Sequence, residues 1–295
     1  MSRIICTADW HLRKSVPVCR TETEEQWLDF QFEVVESIFK TARELKASVC
    51  CAGDIFNQSV PGTRVVNKLI DLLEDYVDVP FYACAGNHET PYHNNKLLID
   101  SSFYTLMKHL NMSEQIAEHH FNGPVPEPAE ITLCHHLCFP DKASIPGNIE
   151  AHTPESVADM YPESAVIICG DYHGLHSHFI KDTKQYIVVP GCITVQDADY
   201  MNYSPSVLFL DTESLENHVI SLPHDPEKIS RVHLEKEQAR NENIDKFITM
   251  LQSRGKVSLS FSDNLKKKML DKDIPARTKT IVKNIEEAVN GRKGI

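Results

Sequence analysis

The 295-residue sequence holds no apolar run near the roughly 18 residues that a bilayer crossing needs, so no membrane span is expected. It holds no Cys-x-x-Cys pair, which argues against a thiolate zinc site. No internal repeat or low-complexity tract is evident, which argues against a solenoid or a disordered tail. No signal peptide precedes the first strand-like segment, Met1-Ser2-Arg3-Ile4-Ile5-Cys6, so a cytoplasmic protein is expected. Its nine cysteines are an odd number, and Cys6, Cys50, Cys51, Cys84, Cys134 and Cys169 lie inside apolar runs. They read as small buried hydrophobes in a reducing compartment, not as a disulfide frame. What remains is ordinary globular composition, 41% hydrophobic and 24% charged, enough for one large domain with an appendage or for two domains.

The formal charge of −12 is uneven: Leu265 to Ile295 carries nine Lys/Arg against four Asp/Glu, which leaves −17 on the first 264 residues. An acidic body argues against broad nonspecific nucleic-acid binding, while a local basic path stays open.

Strand-like and helix-like segments alternate through about residue 190. Apolar positions at 3.6-residue spacing predict helices over 23–46 and 63–76, and a third over 96–110. This rhythm predicts a layered α/β domain with active groups at the carboxyl ends of its strands. After Asp171, strands near His178, Gln185–Val189, Ser206–Leu210 and His218–Leu222 are expected to form a second, largely antiparallel sheet. Pro223-His224-Asp225-Pro226 marks a boundary between residues 1–222 and 223–295. In the last segment, helices over 236–252 and 275–290 flank a short strand near Lys256–Phe261.

Five polar motifs end five apolar runs: Asp9-Trp10-His11, Gly53-Asp54, Gly86-Asn87-His88-Glu89, Cys134-His135-His136 and Gly170-Asp171-Tyr172-His173. On a straight strand the spacing of Asp9 and His11 would point both side chains one way. Gly53 permits a tight strand exit from which Asp54 can bridge two ions. Asn87 offers an amide oxygen, and His88 and His135 offer imidazoles. Asp171 and His173 repeat the first spacing. Alone, Asp9 or Asp54 reads as a loop carboxylate or helix cap; together, mixed N/O donors without thiolate suit manganese, iron or zinc better than calcium. A pair of such ions can clamp a phosphate and activate water for in-line attack.

The order D-x-H, G-D, G-N-H-E, H, G-x-x-H resembles the calcineurin-like metallophosphoesterases. The flanks Ala8-Asp9-Trp10-His11-Leu12, Gly53-Asp54-Ile55-Phe56 and Val189-Pro190-Gly191-Cys192 resemble the SbcD nucleases of DNA double-strand-break repair. The resemblance covers residues 1 to about 222. It implies a four-layer sandwich, two mixed sheets flanked by helices, with a small α+β C-terminal unit. It implies two divalent ions, most simply manganese, with Asp9, His11, Asp54 and His173 holding one and Asp54, Asn87, His135 and Asp171 the other. His88 would be the catalytic acid, or would stabilise the transition state. It further implies DNA as substrate, an SbcC-like coiled-coil ATPase as partner, and two copies per complex. Where the family usually has Gly-His-x-His, this chain has Gly170-Asp171-Tyr172-His173, an extra carboxylate that favours harder ions. His176 and His178 stand as an alternative pair, and His136 as an alternative to His135.

Arg13 and Lys14 could meet a phosphate. Trp10 and Tyr172 could stack on a base or pack against neighbouring loops. His93, His119, His120 and His152 read as surface histidines. Lys266-Lys267-Lys268 reads as the polar face of a helix or as a contact for DNA or an acidic partner. Ile281, Val282, Ile285, Ala288 and Val289 give the last helix an apolar side that could dock on the ATPase or fold back.

Overall fold

A computed structural model describes residues 3–147, 149–253, 261–271 and 274–291. In chain order the elements are β1 (Arg3–Thr7), α1 (Glu24–Leu45), β2 (Ser48–Cys51), α2 (Thr63–Asp75), β3 (Phe81–Ala83), α3 (Ser102–Leu106), β4 (Ile116–His119) and β5 (Ile131–His135). They continue with α4 (Pro154–Met160), β6 (Val166–Gly170), β7 (His176–Ile180), β8 (Gln185–Val189), β9 (Ser206–Asp211), β10 (Asn217–Ser221), α5 (Val232–Ser253), α6 (Phe261–Met269) and α7 (Ala276–Gly291). No helix among the described residues is long and apolar enough to cross a membrane. The chain divides into two compact units, Met1–Arg231 and Val232–Ile295.

The first unit is built on two mixed five-stranded sheets, ordered β10-β9-β1-β2-β3 and β4-β5-β6-β8-β7. In the first, β1, β2 and β3 run parallel while β9 and β10 are antiparallel additions. In the second, β4, β5, β6 and β8 run parallel and β7 is antiparallel. Alternation along β1 explains the layering. Ile5 faces a core shared with Phe32, Ile38 and Phe39 of α1 and Leu69 of α2. Ile4 and Cys6 face a core shared with Leu133, Ile168 and Val188 of the other sheet. A third core packs Ile167, Cys169 and Ile187 against Val157 and Ala158 of α4. Helix, sheet, sheet and helix therefore stack as four layers, each large buried side chain contributing roughly 1.5–3 kcal/mol of burial. All nine cysteines are buried and free.

Three expectations are corrected. The four late strands do not form one sheet: β7 and β8 extend the second sheet, and β9 and β10 return to the first beside β1. Alternation reveals that a segment is a strand but not which edge it joins. The helix expected over 96–110 is broken, because Ser101 is extended and its hydroxyl caps a new, five-residue α3. Neither β4 nor α4 was anticipated; α4 starts on a Thr153–Ser156 capping box with Pro154 at its first turn.

Residues 223–231 belong with the first unit: Ser230 N–H donates to Cys19 O at 2.7 Å and Thr21 N–H to Lys228 O at 3.0 Å. Among its described residues the second unit is helical; the strand expected near Lys256 falls largely in residues 254–260, outside the described set. Lys266, Lys267 and Lys268 occupy the last turn of α6.

Candidate metal centre

Four residues of the motif loops adopt left-handed backbone: Asp9 (φ 52°), His11 (φ 48°), Asp54 (φ 53°) and Asp171 (φ 76°). Such conformations are costly for residues other than glycine and cluster at functional sites. They overturn the expectation that strand alternation aims Asp9 and His11. Strand β1 ends at Thr7, and the two side chains are aimed by the coiled backbone beyond it. That backbone is stapled to the next motif: Asp9 N–H donates to Gly53 O at 3.0 Å and His11 N–H to Asp54 O at 2.8 Å.

Glycine supplies the space. A Cβ on Gly86 would stand 2.1 Å from Asp54 Oδ1, and one on Gly53, whose φ is +92°, 2.4 Å from His135 Nδ1. On Gly170 it would meet Ala52 O at 2.0 Å and His135 Nδ1 at 2.5 Å. The three motif glycines thus permit Asp54 and His135 to lie directly on neighbouring backbone.

The carboxylates are each held by one oxygen. Asp54 Oδ1 accepts His88 N–H at 2.9 Å, and Asp9 Oδ1 accepts Asp171 N–H at 3.1 Å. Asp54 Oδ2 stands 3.4 Å from His135 Nε2, 3.7 Å from His11 Nε2 and 3.9 Å from His88 Nε2. His135 Nε2 is also 3.8 Å from Asp171 Oδ1, and His11 Nε2 is 3.2 Å from His173 Nε2. Asp9 Oδ2, Asn87 Oδ1 and His135 Nε2 are buried atoms without a hydrogen-bond partner.

The tautomer of His135 is fixed, because its Nδ1 lies 2.7 Å from Ala52 O and only an N–H can donate there. In the neutral ring Nε2 then presents a bare lone pair, the arrangement of a metal-bound histidine whose other nitrogen donates to a carbonyl. Burial, with help from Asp54 and Asp171 and against His135, pushes the Asp9 carboxyl up to about 8. Burial, opposed mainly by Asp54, pushes His11 down to about 3. Burial also lowers His135, but the carboxylates of Asp54, Asp9 and Asp171 outweigh it and raise the imidazole. Unpartnered acceptors, a buried carboxylate with too little compensation, the neutral imidazoles of His11 and His173, and the negative field that raises His135 call for cations. Three sets converge closely enough to hold one: Asp9, His11 and His173; His11, Asp54 and His88; and Asp9, Asp54 and His135. The donor set fits divalent ions of mixed N/O preference.

Glu89 carries a function that the sequence did not reveal. Fully buried, it accepts Asp54 N–H at 3.0 Å, Phe56 N–H at 2.6 Å and Gly86 N–H at 2.8 Å. One carboxylate thereby ties the Asp54 loop to the Asn87–His88 loop. His88 is half-exposed, and its Nδ1 donates to Asn57 O at 2.6 Å, leaving Nε2 on the cleft side.

The alternatives lie elsewhere. His136 Nε2 contacts Tyr161 Oη at 2.9 Å, and His176 Nε2 contacts Cys138 O at 3.0 Å with its ring beside His178. Neither pair joins the cluster. His119 and His120 are not surface histidines: His119 is buried against Tyr161, and His120 Nδ1 accepts Ala85 N–H at 3.0 Å. Trp10 is wholly buried, stacked on Phe81 at 5.6 Å with its indole N–H on Thr7, and is unavailable to a base. Lys14 pairs with Glu24 at 3.2 Å.

The cluster floors a cleft of about 610 Å³, also lined by Arg13, Asn57, Phe139, Tyr172, Gln196 and Tyr200. The family profile described as calcineurin-like phosphoesterase matches residues 2–248. No curated protein matches the chain. Similar solved structures include a dimetal phosphatase from Danio rerio, with 11% identity, coverage of 75% of this chain and 99% of that chain, and TM-score 0.43. A novel archaeal phosphodiesterase shows 14% identity, coverage of 75% and 99%, and TM-score 0.41. A metallophosphoesterase from Sphaerobacter thermophilus shows 13% identity, coverage of 82% and 94%, and TM-score 0.35.

Proposed function

The chain belongs to the calcineurin-like phosphoesterase family, and we propose that it is a manganese-dependent DNA nuclease, the SbcD-like subunit of a complex with an SbcC-like coiled-coil ATPase. Asp54 carries the two-metal part of this reading, with one carboxylate oxygen within 3.4–3.9 Å of three imidazole nitrogens. Asp9, His11, Asp54 and His173 would hold one ion, and Asp54, Asn87, His135 and Asp171 the other. When bound, such a pair polarises a phosphoryl group and acidifies water.

The protein's own groups then have separable tasks. Asp54, fixed by His88 N–H and by Glu89 through its own N–H, keeps the two half-sites in register. The Asn57 carbonyl takes His88 Nδ1–H, which leaves Nε2 facing the cleft, where it donates only when the ring carries a second proton. As the oxygen of a water that has lost one proton to solvent bonds phosphorus and the phosphorus–oxygen bond to the leaving group breaks, the imidazolium form of His88 would pass its Nε2 proton to the departing oxygen and be left neutral. Arg13 is held toward the same cleft by Ser15 O at 2.9 Å and Asn57 Oδ1 at 3.2 Å, where it suits a neighbouring, unreacting phosphate.

The choice of DNA is supported by the SbcD-like flanks, which pack as one unit around the centre. Ala8 bridges to Cys192, Leu12 bridges to Phe56, and Cys192 N–H donates to His173 O at 3.1 Å. Purified protein with manganese, with and without an ATPase partner, is expected to degrade linear DNA. His88→Ala is expected to remove turnover while metal, measured by elemental analysis, stays bound. Metal-replete protein that leaves DNA intact in both settings sinks the nuclease reading. The acidic first 264 residues favour a second reading, hydrolysis of small phosphodiesters or nucleotides, which side-by-side rates on DNA and bis(p-nitrophenyl) phosphate separate.

A further inference from the structure

One wall of the cleft is chemically unlike its floor. Phe139 and Tyr172 meet with ring centroids 4.9 Å apart and planes inclined at 57°. Both are only partly buried and both line the cleft. Each ring is held by backbone. Phe139 N–H donates to His152 O at 3.0 Å and His152 N–H to Leu137 O at 2.8 Å, which pins the segment. The Tyr172 ring lies on Gly174, where an added Cβ would meet Cε1 at 2.9 Å. Neither ring contributes a donor to the metal centre, although Tyr172 stands between Asp171 and His173 in sequence.

A fixed, partly wet aromatic pair beside a phosphate-competent cluster matches a ligand with a flat π-face one sugar away from a phosphate. We propose that Phe139 and Tyr172 form a nucleobase-stacking subsite, so that the cleft recognises a nucleotide unit and not merely a phosphodiester. The inference rests on the phosphodiesterase reading of the adjacent centre for its phosphate end. The cleft, at about 610 Å³, has room for one nucleotide over the cluster. Stacking reads a face that every base has, so the subsite tolerates sequence and favours the larger purine face.

Phe139 is the position to test, since it is four residues from His135 and outside the donor set. The full chain is titrated, in magnesium buffer, with 2-aminopurine deoxyriboside 5′-monophosphate, whose fluorescence is quenched on stacking. Saturable quenching is expected. Phe139→Ala should weaken it about 5- to 150-fold, the range of ~1–3 kcal/mol per stacked base. Phe139→Trp should keep it, and deoxyribose 5-phosphate should compete poorly. A circular-dichroism spectrum and a metal-to-protein ratio of Phe139→Ala equal to the parent's guard against a misfolded alanine variant. With manganese, selectivity for the deoxyadenosine dinucleotide over its abasic analogue should fall in Phe139→Ala, through KM and not kcat.

Absence of quenching, equal affinity of Phe139→Ala and the parent, or full competition by the sugar phosphate overturns the subsite. Cleavage of both dinucleotides beside any of those results leaves the phosphodiesterase reading standing. Quenching that depends on Phe139 without cleavage of either dinucleotide supports the base subsite and removes the phosphodiesterase reading.

Discussion

His135 and His136 are consecutive residues at the end of one strand, yet they live in opposite chemical worlds. His135 gives its Nδ1–H to Ala52 O and leaves Nε2 unpartnered among Asp9, Asp54 and Asp171. His136 points to the other side of the sheet, into a closed chain of hydrogen bonds. There His119 Nε2 contacts Gly123 O at 3.2 Å, so Nε2 carries the proton and Nδ1 accepts from Tyr161 Oη at 2.5 Å. Tyr161 Oη in turn accepts from His136 Nε2–H at 2.9 Å. Both nitrogens of His119 and Nε2 of His136 thus have their roles assigned by the protein. Burial, abetted by His119 and His152, pushes His136 down to about 4, with no carboxylate among its causes. A histidine cluster is therefore not by itself a metal site; bare lone pairs beside buried carboxylate make the difference.

Paired alanine variants break this comparison most sharply. His135→Ala should lose one ion and lower hydrolysis at least ~10³-fold, given the several kcal/mol that a metal supplies. His136→Ala should keep the metal-to-protein ratio of the parent. Elemental analysis with initial rates decides, and equal metal loss in both variants would erase the distinction.

How much of this was legible in the sequence follows from the same residues. The apolar runs ending in Gly53-Asp54, Gly86-Asn87 and Gly170-Asp171 located strands and motif loops, because burial forces the run and the turn forces the punctuation. The segments that became β1, β2, β3, β5 and β6 came with them, but the parallel pairing of β4 and β8 in the second sheet did not. The sheet partners of β7 to β10 did not, since they depend on contacts such as Ile4 with Leu210, about 200 residues apart. Nor did the left-handed backbone of Asp9 and His11, for which only glycine or asparagine is a sequence signal. Glu89 stood in plain view within its motif, but the three N–H groups it accepts include two from residues 33 and 35 positions earlier.

His120 offers a third environment, in which the imidazole is held neutral by a protein N–H. Burial, and then His119, push it down to about 4. An unfolded histidine takes its proton near 6.5, so between about pH 6.5 and 4 the unfolded chain binds more protons. Stability from His120 is complete above 6.5 and lost as pH falls through 4, worth roughly 3 kcal/mol at the low end. Urea unfolding of parent and His120→Phe at pH 7 and pH 4.5 should show the parent losing more of its stability. An unchanged difference would mean that His120 titrates normally.

Glu89→Gln tests whether the metal side of the comparison depends on its carboxylate clamp. The amide keeps the size but replaces one accepting oxygen by an N–H₂ facing backbone donors of Asp54, Phe56 or Gly86. Metal affinity should fall about 10- to 100-fold, as for partners that orient ligands. Competition with a chelator of known affinity measures it. Unaltered affinity would leave Glu89 a purely structural carboxylate.

The smallest effect is expected on the other side of the sheet. Tyr161→Phe removes the hydroxyl that takes His136 Nε2–H and serves His119 Nδ1, so one donor and one acceptor lose their partner together. His119 keeps its second bond, to Gly123 O, and His136 is only partly buried, so solvent can replace part of the loss. The cost should be roughly 1–2 kcal/mol in urea unfolding. Metal content should match the parent, because the hydroxyl network shares no atom with the donors around Asp54. If Tyr161→Phe instead strips metal, the two clusters are coupled through the His135–His136 peptide. The closed chain would then be part of what holds His135 on its ion.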